Sequence, residues 1–156
     1  MECYIHGMDF RELRDENNIP DLQLLLRTLI HEIYEHGIRS FNTMMSPGVD
    51  LWSMFYLASL LEEKVLPDAN IAGVYSPDNF SSEEQTAMRE RILNKIQGLA
   101  LNPFPDDDHR VRYLHQQSEL IVGVHADPEE DHLARLAFSV RGQEPTEYCV
   151  PLNADI

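Results

Sequence analysis

The sequence predicts a three-layer α/β domain, in which helices cover both faces of a mostly parallel sheet of about five to six strands. Segments with strand and helix patterns alternate from one end of the 156-residue chain to the other, and that order is typical of parallel sheets with helices on both faces. The hydrophobic fraction of 43% is ordinary for a globular protein. No repeat or long linker divides the chain, so we expect residues 1–156 to form one domain.

The first half of the chain contains three predicted strands and two predicted helices. Cys3–Ile5 is a short apolar strand. A helix follows, because Pro20 suits a first helical turn and apolar residues then recur at helical spacing until Gly37, a natural C-terminal residue for a helix. The remaining elements predicted here are a strand at 38–43, an apolar helix at 49–63 and a nearly continuous apolar strand at 70–75.

The second half continues the alternation. Ser81 offers a hydroxyl cap for a helix that runs to about residue 97. The elements predicted after it are a strand at 99–101, a short helix at 109–117, a strand at 119–125, a last helix at 131–141 and a final strand at 148–152.

The net charge limits the classes of partner. The chain has 12 Lys and Arg against 27 Asp and Glu, a formal charge of -15. Nucleic acids are bound mainly by clustered cations, so a DNA or RNA partner is disfavoured, as is an anionic membrane surface. A local basic pocket for a small anionic ligand remains compatible with this charge.

The compartment is predicted from cysteine usage and hydropathy. The two cysteines, Cys3 and Cys149, lie beside apolar neighbours and do not form a disulfide framework. No apolar run approaches the length that crosses a bilayer, and the N-terminus has neither a basic leader nor an apolar signal core. We therefore expect a cytoplasmic protein.

Residues 37–52, GIRSFNTMMSPGVDLW, are the segment around which the functional prediction is built. They predict a strand, a loop of small residues and the start of a helix. A helix N-terminus offers free N–H groups and a positive dipole, so phosphate binds there readily. Gly48 would allow the backbone to approach such a ligand closely.

This segment resembles the strand-loop-helix of the YpsA-like branch of the SLOG superfamily. Two further segments are similar to that family in the same order: residues 3–7, CYIHG, and residues 110–124, RVRYLHQQSELIVGV. The resemblance implies a Rossmann-like fold that holds a nucleotide or nucleotide-derived ligand at the carboxyl ends of its strands, and family members often form homo-oligomers. The ligand-binding residues that it implies are Gly7, Thr43, Met45, Ser46, Gly48, Asp50 and Arg110.

The sequence also departs from the family pattern. Met44 stands in place of the first loop glycine, while Met8 and Asp9 replace a histidine and an arginine. The acidic stretch 126–131 replaces a glycine-threonine turn, and its negative charges would repel phosphate. We therefore predict a binding or sensing domain with an eroded site, without turnover and without a cofactor.

Two other functions stay open. One is a phosphoribohydrolase-like enzyme that acts on nucleotides, although no catalytic residue can be assigned. The other is an acidic protein-interaction domain whose ligand cleft is empty.

No metal site is predicted. His31 and His36 are five residues apart, about 140° round a helix, so they do not face one ion. The alternating acidic residues from Asp127 resemble a calcium loop, but His132 stands where that loop needs a glycine and Phe138 where it needs a glutamate.

Overall fold

The computed structural model describes residues 2–13, 16–43, 48–75, 87, 100–103, 107–127 and 133–152, which contain seven strands and three long helices. The strands are β1 (Glu2–Gly7), β2 (Ser40–Thr43), β3 (Asn70–Tyr75), β4 (Ala100–Pro103), β5 (Leu120–Ala126), β6 (Leu133–Val140) and β7 (Thr146–Pro151). The helices are α1 (Ile19–Glu35), α2 (Val49–Glu62) and α3 (Asp107–Gln117), with short 3-10 helices at Phe10–Glu12 and Glu16–Asn18.

All seven strands belong to one mixed sheet in the order β4-β3-β2-β1-β5-β6-β7. The pairs from β4 across to β5 are parallel, whereas β5–β6 and β6–β7 are antiparallel. The class is therefore α/β, as predicted. Strand β1 lies at the centre, between β2 and β5.

The strand order explains which face each helix covers. From β1 to β3 the chain moves along the sheet in one direction, so right-handed crossovers place α1 and α2 on the same face. The return from β4 to β5 reverses the direction and places α3 on the opposite face. The change of direction lies between β1 and β5.

Side-chain packing agrees with this arrangement. The larger core joins α1 and α2 to the odd-numbered side chains of β1, Cys3 and Ile5. Tyr4 points to the other face, where it packs with Leu114 of α3. Helix α1 contributes only one apolar stripe, which consists of Leu22, Leu26, Ile30 and Ile33. Helix α2 is buried on most sides because it packs on both α1 and the sheet.

The prediction of a last helix at 131–141 is wrong, because residues 133–140 form strand β6. Ala134 and Leu136 are buried while Arg135 between them is exposed, which is the two-residue alternation of a strand. Leu, Ala and Arg are good helix formers, but pairing with β5 on one side and β7 on the other overrides that preference. With this strand the sheet has seven strands, whereas about five to six were predicted.

Most other elements are confirmed within a few residues. Helix α1 begins with Pro20 in its first turn and ends before Gly37, whose φ is 102°. Of the predicted helix at 81–97, all residues except Ala87 lie outside the described part. Within the described residues, no helix has both the length and the apolar character to cross a membrane.

The packing of β2 against the helices can be tested by truncation. Phe41 is fully buried in the larger core, so Phe41→Ala is expected to lower the free energy of unfolding by about 3–5 kcal/mol in a urea titration. The matched control is Leu24→Ala on the exposed side of α1, where the side chain is 57% exposed. A comparable loss in both variants would contradict this packing.

Candidate functional site

The carboxyl ends of β1 and β5 meet where the strand order changes direction. Ligands of open α/β sheets bind at such a switch point, outside the carboxyl ends of the strands. Helix α2 begins at the same edge, because Val49 N–H donates a hydrogen bond of 3.0 Å to the carbonyl of Met8, just after β1. The candidate site therefore has two sides, one facing α2 and one facing α3.

On the α2 side, Gly7 fits into a space that admits no side chain. A Cβ at this position would lie 2.3 Å from the carbonyl oxygen of Val124 and 2.8 Å from the Cβ of Val49. The Gly7 N–H donates a hydrogen bond of 2.9 Å to the Oδ1 of Asp50. Glycine at this position lets β1, β5 and α2 approach each other closely.

Gly48 makes a second close approach. Its φ is 94°, and a Cβ there would lie 2.2 Å from the Met8 carbonyl oxygen and 2.6 Å from the Cα of Asp9. The backbone that follows β1 therefore packs directly on the start of α2. The contact of Gly48 with a ligand stays a prediction.

Asp50 is buried in the first turn of α2, with 3% of its surface exposed. A carboxylate is stabilised there by the positive end of the helix dipole and by the Gly7 N–H. The negative charge at this helix N-terminus is thus a side chain of the protein itself. Gly7, Gly48 and Asp50 are brought together, and they contact one another or the segment after β1.

The other predicted ligand contacts are distributed differently. Thr43 is fully buried at the end of β2. Met45 and Ser46 lie outside the described residues. Arg110 belongs to the first turn of α3, and its side chain lies outside the described part.

On the α3 side, the central strand carries a row of polar and aromatic residues. Because strand side chains alternate, Glu2, Tyr4 and His6 lie on one face of β1. Asn42 is the neighbour of Tyr4 on β2, and its Nδ2 donates a hydrogen bond of 3.1 Å to Glu2 Oε2. Strands covered on both faces are usually apolar, so this row is an unusual feature of the central strand.

Three histidines lie on this side of the sheet: His6 of β1, His125 of β5 and His115 of α3, hereafter the histidine cluster. The ring centroids of His6 and His125 are 5.8 Å apart. Tyr4 lies near both His6 and His115, with its ring centroid 5.0 Å from that of His6 and 6.1 Å from that of His115. His6 is partly buried, whereas His115 and His125 are exposed.

The pKa of His6 is lowered to about 4, first by burial and then by the charges of His125 and His115. The imidazole of His6 is therefore neutral at pH 7, with a nitrogen lone pair available. Gly123, the neighbour of His6 on β5, leaves room for this ring. A Cβ on Gly123 would lie 2.9 Å from His6 Cε1, 3.0 Å from His6 Nε2 and 3.7 Å from His125 Nε2.

The sequence analysis did not identify the histidine cluster. One signal was present, since Glu2, Tyr4 and His6 alternate with apolar residues in the first strand. The contribution of His125 depends on the pairing of β1 with β5, whose partners are far apart along the chain. No short sequence pattern links His6, His115 and His125.

No family model matches the chain, and no curated protein is similar to it in sequence. Within the described residues, no group of three or more His, Cys, Asp or Glu side chains is placed to hold a metal ion.

The closeness of Gly48 to the segment after β1 predicts an unusually large effect of one methyl group. Gly37 and Gly48 both have positive φ, but a Cβ on Gly37 would have no neighbour within 4 Å. Gly37→Ala is therefore expected to cost about 1 kcal/mol from backbone strain alone. Gly48→Ala is expected to cost roughly 3 kcal/mol or more, because the backbone of Met8 and Asp9 must also move. Equal losses in chemical denaturation would contradict this geometry.

The lowered pKa of His6 predicts a specific pH dependence of stability. An unfolded histidine binds its proton near pH 6.5, but folded His6 does so only near pH 4. The unfolded chain therefore binds more protons in this window, and the free energy of unfolding falls as the pH drops from about 6.5 to about 4. His6→Gln is expected to reduce this fall in denaturation curves measured across the window. The control is His36→Gln, which changes a histidine at the C-terminus of α1, outside the histidine cluster, and should keep the wild-type slope. Identical profiles for His6→Gln and the wild type would refute the burial of the neutral ring.

Proposed function

We propose that this chain is a small-molecule binding or sensing domain, whose ligand is a nucleotide or a nucleotide-derived molecule held at the carboxyl ends of β1 and β5. The observation that carries the proposal is the polar row on the central strand, which ends in the histidine cluster at the switch point. A Rossmann-like three-layer fold, with one layer of helices on each face, is part of the proposal.

The packing supports the α3 side of the sheet as the side that receives the proposed ligand. On the α2 side, the Gly7 N–H donates to the Asp50 carboxylate and Gly48 packs on the backbone after β1. On the α3 side, imidazole groups are exposed to solvent. In a chain with a net charge of -15, imidazoles are suitable donors for a small anionic or heteroaromatic ligand. The proposed ligand therefore lies on the α3 side.

Binding without turnover is the form of the proposal that the α2 side favours. In the resemblance described above, the loop before this helix approaches the ligand, whereas here the corresponding glycine packs on the segment after β1. A polar patch that binds does not need an activated nucleophile, and we assign none. Turnover of a nucleotide would be detected separately, as release of its free base.

A cytoplasmic location belongs to the same proposal and is supported by the thiols. Cys3 and Cys149 are both free. Burial raises the pKa of the Cys3 thiol to about 12, so this thiol is protonated and unreactive at neutral pH. Neither cysteine serves as a structural cross-link.

Ligand binding is tested by thermal shift with mono-, di- and cyclic nucleotides. A ligand present at 100 times its Kd stabilises the folded state by about 2.7 kcal/mol, so the Tm should rise with ligand concentration. His125→Gln should reduce the shift while leaving the Tm of the free protein almost unchanged, because His125 is exposed.

The matched control is His36→Gln, which removes a histidine at the C-terminus of α1 and should keep the full shift. A Tm unaffected by every nucleotide would overturn the proposal and favour an interaction domain with no small-molecule ligand. A shift accompanied by release of free base would favour the nucleotide hydrolase.

A further inference from the structure

We propose that His6 and His125 form a two-imidazole site for a divalent transition-metal ion such as Zn²⁺, Ni²⁺ or Cu²⁺. This site shares the histidine cluster with the nucleotide proposal, but it needs no nucleotide, since the ion alone is the ligand. It goes beyond the sequence prediction, in which no metal site was expected.

The first support is that one imidazole nitrogen of each histidine lies near the same point. His6 Nε2 and His125 Nε2 lie 3.0 and 3.7 Å from one common point, the position that a Cβ on Gly123 would take. The absence of a side chain on Gly123 leaves the space beside both rings. Since His6 and Gly123 are paired neighbours in the sheet, the two histidines are carried by adjacent, hydrogen-bonded strands.

The second support is the separation of the rings. A metal ion bound to imidazole nitrogen at about 2.0–2.1 Å lies about 3.2 Å from the ring centroid, so two rings sharing one ion have centroids at most about 6.4 Å apart. The measured separation is 5.8 Å, with the ring planes at 61°. This separation lies within the limit that one shared ion sets.

The third support is electrostatic. A metal ion binds the neutral form of imidazole. The neighbouring cation Arg135 is paired with Asp127, with 3.0 Å between Nε and Oδ2. The overall charge of -15 attracts cations in addition.

Two protein ligands define a weak, open site rather than a structural one. No third ligand of the required type is grouped with them among the described residues, so water or an external molecule completes the coordination. Imidazole ligands select Zn²⁺, Cu²⁺ and Ni²⁺ over Mg²⁺, which prefers oxygen. His115, beyond Tyr4, affects the site through its charge on His6.

The experiment is calorimetric titration of the metal-free full chain with Zn²⁺ at pH 7.5, without nucleotide. His6→Gln and His125→Gln should each weaken the affinity by about tenfold or more, since each removes one of two ligands. Gly123→Ala provides a variant that keeps both histidines. Its methyl group would displace the His6 ring rather than the backbone. Zn²⁺ binding should therefore weaken, while the circular dichroism spectrum should match that of the wild type.

Two controls address other donors on the surface. His36→Gln removes a histidine remote from the cluster, and Cys149→Ser removes the exposed free thiol. Both should bind Zn²⁺ like the wild type. Equal affinity in the wild type, His6→Gln and His125→Gln would overturn the proposal, as would equal affinity for Mg²⁺ or no binding at 1 mM Zn²⁺. A nucleotide-induced thermal shift together with no Zn²⁺ binding would overturn this inference alone.

Discussion

The hydrogen bond from the Gly7 N–H to the Asp50 carboxylate is the contact on which the arrangement of the switch point depends. It ties the end of the central strand β1 to the first turn of α2. The carbonyl oxygen of Val124, on β5, lies too close to Gly7 for any side chain to fit between them. Three elements that are distant along the chain are thereby held at one point, and the histidine cluster on the other face of β1 takes its geometry from that point.

The two faces of the sheet consequently have different roles. The α1 and α2 face is an apolar core, in which Phe41, Ile30 and Leu57 are fully buried. The α3 face places Glu2, Tyr4 and His6 along the central strand, with Asn42 and Gly123 beside them. A sheet with one apolar and one polar face beneath its helices can obtain its stability from the first face and present ionisable groups on the second.

The sequence predicts those features of the fold that are encoded locally. The boundaries of β3 and α2 follow from a continuous apolar run and from Gly48 with Asp50 at the helix start. Strand β6 could not be predicted in this way, because Leu133, Ala134 and Leu136 suit a helix until β5 and β7 pair on either side. The histidine cluster was missed for a related reason. His6 and His125 become neighbours only through the pairing of β1 with β5, and no local pattern encodes that pairing.

That pairing also has a kinetic consequence. Strand β1 joins β2 across a single helix, whereas its register with β5, Cys3 beside Leu120, closes a loop containing most of the chain. Closing long loops costs entropy before the contacts form, and folding slows as such distant pairings dominate. We therefore expect the β1–β5 ladder to form late, after the α1–α2 layer has packed on β1 and β2. The histidine cluster would then exist only in chains that have completed folding, so an imidazole-based signal from it would report the last step of assembly.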